Sequence, residues 1–111
     1  MQADDEEVTA ILGRFNDKWT DFGQDIGDMN TAWDKCESVY ARLKDVSIYL
    51  EQSQETEGRI NALESRADYI KSRMKEAVKT KKDALKQNQE LDPTDQTAND
   101  IRTLDQFKGA E

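Results

Sequence analysis

Residues 8–50, VTAILGRFNDKWTDFGQDIGDMNTAWDKCESVYARLKDVSIYL, decide how this chain folds. Counted in heptads from Val8, one position is filled by Val8, Phe15, Phe22, Met29, Cys36, Leu43 and Leu50. A second, four residues on, is filled by Leu12, Trp19, Ile26, Trp33 and Tyr40. An apolar residue every three then four positions places these side chains on one side of a helix. The pattern predicts a single helix over about residues 5–52. Gly13, Gly23 and Gly27 lie off the stripe, and each costs about 1 kcal/mol relative to Ala in a helix interior. A break near Gly23 to Asn30, which would make two helices of one, therefore stays open as the alternative.

Beyond Leu50 the stripe empties through Ser53, Gln54, Thr56 and Glu57, with Gly58 among them, which predicts a turn at about 53–58. A second stripe follows: Ile60, Leu63, Ala67, Ile70, Met74, Ala77, Ala84 and Leu91, interrupted by Lys81 and Asn88. It predicts a second helix over about 57–90. Asp92, Pro93, Thr94 and Asp95 carry the signature of a helix start, with Asp92 as cap and Pro93 in the first turn. A short third helix over about 93–108 would then present Ala98, Ile101, Leu104 and Phe107 before Gly109. The fold class read from this is all-α: a single domain, residues 1–111, built as a long antiparallel helical hairpin, coiled-coil-like, with a short C-terminal helix, and part of a larger helical bundle.

If the chain turns near Glu55, the stripes oppose Leu50 to Ile60, Leu43 to Ala67, Tyr40 to Ile70, Trp33 to Ala77, Ile26 to Ala84 and Trp19 to Leu91. Large residues then face small ones along much of the seam, as close packing requires. Charge agrees in sign. Residues 17–37 hold six acids and two bases, whereas 73–93 hold six bases and four acids. A flanking row of Ile11, Ala32, Val39 and Val46 widens the apolar face beyond what one partner helix covers. Self-association into a homo-oligomer, or docking on another helical protein, is the expectation that follows. Phe15, Trp19, Phe22, Ile26, Trp33, Val39, Tyr40 and Val46 are the candidate interface residues.

Composition narrows the function classes. The 111 residues carry 24 Asp and Glu against 16 Lys and Arg, a formal net charge of -8, with 35% hydrophobic residues, one Cys and no His. One Cys and no His leave no recognisable zinc ligand set and no imidazole for acid–base work. Cys36 lies on the apolar stripe beside Met29 and Tyr40, a setting for an inert core thiol rather than a nucleophile. No metal, cofactor or small-molecule substrate is expected, and the chain reads as not an enzyme. No stretch approaches the roughly 20 apolar residues that span a bilayer. The start, MQADDEEV, is acidic where a secretion signal is basic and then apolar, so a soluble intracellular protein is the expectation.

Two charged features remain. Residues 66–86 hold eight bases and three acids, a patch that suits pairing with the acidic first helix. Contact with nucleic acid through Lys79, Lys81, Lys82 and Lys86 is the less favoured use, because Tyr69 is its lone aromatic residue and a stacking platform needs more. Asp17, Asp21, Asp25 and Asp28 make a negative stripe on the polar side of the first helix, read as a solvated face. The functional expectation is a non-enzymatic helical interaction or scaffolding component. A small acidic regulator or chaperone that occupies one partner is the alternative, and a nucleic-acid-associated protein using the basic helix is the second.

Overall fold

The computed structural model describes residues 5–49 and 54–110, with side chains for 5–43 and 57–110. Within them the chain forms four helices and no strand: α1 (Asp5–Asp17), α2 (Gly23–Tyr49), α3 (Gln54–Leu91) and α4 (Asp95–Asp105). The all-α hairpin expected from the two stripes is present in α2 and α3. Their opposite sense is fixed by Tyr40 donating to Asp68 and by Lys71 reaching Glu37. The molecule is a rod of 59 × 23 × 17 Å.

The first predicted helix is two helices. The chain leaves α1 after Asp17 and re-enters helix at Gly23, and Asp21 takes a left-handed conformation with φ 55°. Asp is among the few residues that adopt this conformation readily, because its short polar side chain bonds locally. The break thus falls at 18–22, just before the glycine-containing segment where sequence places it. α1 folds back along α2, joined by Lys35 to Glu7 at 3.0 Å and Arg14 to Asp28 at 3.2 Å. It therefore runs parallel to α3, where Arg73 bonds Asp5 at 2.8 Å. Phe15 and Phe22 explain why the heptad count passes through the elbow unbroken. A heptad apart, they would be about 10 Å apart on one helix; here they enter the same core from α1 and from the elbow just before α2, rings edge to face at 5.5 Å.

The C-terminal segment contributes more core than its few apolar residues suggest. Leu104 and Phe107 are buried, and Phe107 meets Trp33 edge to face at 5.5 Å. Thr94, not Asp92, caps α4, accepting a hydrogen bond from the Thr97 amide at 3.1 Å. Beyond α4, Asn30 holds the chain in place by accepting from the Lys108 amide at 2.7 Å and donating to the Gln106 carbonyl at 3.1 Å. Gly109 is needed there: a Cβ would stand 2.7 Å from the Trp33 ring and 2.8 Å from that of Phe107.

One core joins all four helices: Val8, Ile11, Leu12 and Phe15 from α1, Phe22 before α2, Ile26, Met29, Ala32 and Cys36 from α2, Ala67, Ile70, Met74, Val78 and Leu85 from α3, and Leu104 and Phe107 from the end of the chain. α1 and α4 thus cover, within the chain, the apolar side of the hairpin from Phe22 to Cys36 and from Ala67 to Leu85. The α3 stripe drifts by one residue, so that Val78 and Leu85 are buried where Ala77 and Ala84 were expected to lead. Trp33 meets Phe107, and Trp19 stands over Lys81, ten residues short of the Leu91 it was expected to oppose, both Trp19 and Leu91 being exposed. α3 is already helical at Gln54, inside the expected turn at 53–58. The rest of that turn's N-terminal side, with Leu50 and the Val46 side chain, lies outside the described residues.

Candidate functional site

The elbow at 18–22 organises the surface around it. α1 ends with backbone carbonyls pointing at α3, where the Lys81 side chain, 4% exposed, donates to the carbonyl oxygens of Phe15 and Lys18. An ammonium so buried needs partners for its charge. Here the negative end of the α1 dipole and the ring faces of Phe15, Trp19 and Phe22, at 4.1, 5.2 and 5.5 Å, supply them. Desolvation pulls the Lys81 pKa below its ordinary value, against the opposing pull of Asp25 and Asp17. Lys81, an interruption in the stripe by sequence and a candidate for nucleic-acid contact, is a buried cap on α1, its ammonium held by the Phe15 and Lys18 carbonyls.

Asp25 is corrected likewise. Expected on a solvated acidic face, it is 1% exposed and receives Lys18 at 3.0 Å and Arg14 at 3.5 Å. On the far side of the elbow Thr20 donates to Asp100 at 3.2 Å, and Gln96 reaches both Thr20 and Asp100. The elbow is therefore tied to α2, α3 and α4 at once.

This bonding holds Trp19 at the surface, 56% exposed, above Lys81. Between α1 and α3 a groove of about 680 Å³ runs from Trp19 to Tyr69, past Leu12, Asn16, Arg73, Glu76 and Thr80. Tyr69 is 58% exposed and has the Arg73 guanidinium 5.8 Å from its ring centre. Each end of the groove thus carries an aromatic ring braced by a cation from α3, the first by Lys81 and the second by Arg73. Arg73 is itself held by Asp5 and by Thr9 at 2.9 Å.

Of the candidate interface residues, only Trp19 lies in this groove as an exposed ring. Phe15, Phe22, Ile26 and Val39 are buried, and Trp33 and Tyr40 are half-buried with Lys71 over both rings. These residues form contacts among the chain's own helices. The Val46 side chain is outside the described residues. Tyr69 was not among the candidates. The signal for it is an aromatic residue off the apolar stripe of α3, which sequence registers only as too little for nucleic-acid stacking.

Much of the basic patch is paired within the chain, as its position opposite acids suggests: Lys71 with Glu37, Arg73 with Asp5 and Lys82 with Asp105. Cys36 is buried, and desolvation raises its thiol pKa, with Lys71 opposing. That direction disfavours the reactive thiolate. No described helix is long and apolar enough to cross a membrane. In comparisons with known proteins, no family model, curated protein or solved structure matches the chain.

Proposed function

We propose that this chain is a non-enzymatic helical interaction module that binds a protein partner through the groove between α1 and α3. The observation that carries the reading is the pair Trp19 and Tyr69, each more than half exposed, lining one groove and each braced by a basic side chain. Large aromatic side chains on a polar surface leave apolar area in water and contribute the largest shares of binding energy when a partner covers them. Rings already held in place lose less conformational freedom on binding. α1 and α4 cover the apolar stripe from Phe22 to Cys36 and from Ala67 to Leu85, so along this part the exposed apolar area is concentrated in the groove. The groove is where an interaction gains most.

The test places a photo-activated benzoylphenylalanine at position 19, at position 69, or at exposed Glu90 as a control, in cells that make the protein. The expected result is a discrete cross-linked protein of the same mass from positions 19 and 69 and none from 90. Equal, diffuse labelling from all three positions, or no product from 19 and 69, overturns the reading.

A further inference from the structure

On the opposite flank of α3 lies a second cleft, of about 320 Å³, between that helix and the end of the chain. Lys75, Lys79, Lys82 and Lys86 follow one another along its edge at intervals of four, three and four residues, the spacing of a single row on a helix. At 1.5 Å per residue the row spans roughly 16 Å. The floor is apolar: Val78, Phe107, Gly109 and Ala110. Two of the four lysines are held from within, Lys75 5.7 Å from the centre of the Trp33 ring and Lys82 on Asp105. Lys79 and Lys86 are exposed and form no ion pair among the described residues. In a chain of net charge -8, a row of lysines beside an apolar cleft is a local reversal that the fold itself does not use up.

We infer that this cleft binds an acidic amphipathic helix of a partner protein. Carboxylates spaced four, three and four residues apart on such a helix match the rises of the lysine row, as charged flanking positions do in coiled coils, while one aliphatic side chain enters the apolar floor. A nucleic-acid strand fits less well. Phe107, the aromatic residue of the cleft, is buried and offers no ring face on which a base could stack, so a strand would be held by charge alone. Lysines also lack the fork with which Arg grips phosphate. The inference is independent of the Trp19 groove, since the two sites share no residue.

The test is fluorescence anisotropy at low salt with a labelled alanine-based peptide of about 16 residues, bearing Glu at intervals of four, three and four and Leu between them. A second peptide carries Gln for every Glu, and an oligothymidylate of equal length is the third probe. The Glu peptide is expected to bind at least about tenfold more tightly than the Gln peptide, and the double variant Lys79→Glu, Lys86→Glu to lose about tenfold. Its helical circular dichroism should be unchanged, because neither side chain holds the fold. Should that variant lose helicity, Lys79→Ala with Lys86→Ala replaces it, with a weaker loss expected. No binding of the Glu peptide, equal binding of both peptides, an unaffected variant, or tighter binding of oligothymidylate each overturns the inference, the last by making the row a nucleic-acid site.

Discussion

Leu43 of α2 and Ala67 of α3 stand where the rod changes character. On the α1 and α4 side, the hairpin is wrapped by two more helices, and side chains such as Phe15, Met29, Ile70, Met74 and Leu104 are fully buried. On the other side, α3 continues with the same apolar spacing, but Ile60 is only half-buried and Leu63 is 37% exposed. The two regions carry the same kind of stripe and differ in what lies over it. A stripe therefore states which side of a helix is apolar. How completely that side leaves water depends on the number of neighbours, which the spacing of apolar residues does not encode.

The contrast predicts a gradient of stability. Phe15→Ala, deep in the four-helix region and facing both Phe22 and the Lys81 ammonium, should cost about 3–5 kcal/mol by urea denaturation. A loss near zero would mean that α1 is not part of the cooperative unit. Gly109→Ala pushes a methyl group against the Trp33 and Phe107 rings and should cost about 1–3 kcal/mol by the same measurement. An unchanged midpoint would show that the end of the chain adjusts freely and does not close the core. At the two-helix end, Leu63→Ala should change stability by no more than about 0.5 kcal/mol. If it matches Phe15→Ala instead, the two regions are equally covered in solution and the contrast fails.

The same contrast explains what the sequence made legible. Helix type and sense were readable because Val8, Leu12, Phe22, Ile26, Met29, Ile70 and Met74 keep their spacing and are all buried. The elbow was hidden because Phe15 and Phe22 keep heptad separation while belonging to different arms, and the residues between them that break the helix, Thr20 and Asp21, are polar and off the stripe. Val78 and Leu85 were missed through a drift of one residue over a long helix, since seven residues of an α-helix fall about 20° short of two full turns and the stripe moves to later positions. Leu104 and Phe107 looked too few to matter until Asn30 and Gly109 brought them against Trp33. The candidate site was half legible. Trp19 was selected for a place in the seam that it does not occupy. Tyr69 becomes visible only when folding sets it across the groove from Trp19, a relation between residues fifty positions apart that no local pattern carries.

The two tryptophans divide the molecule spectroscopically. Trp19 is open to water above an ammonium at the first groove, so its emission should be that of a solvated indole and should shift to the blue if a partner covers it. Trp33 sits between Phe107 and the lysines of α3, next to the second cleft, and is already partly sheltered. Replacing either by Phe leaves a chain with one tryptophan, excitable apart from the three tyrosines, so occupation of each side of α3 would register in its own signal without an added label.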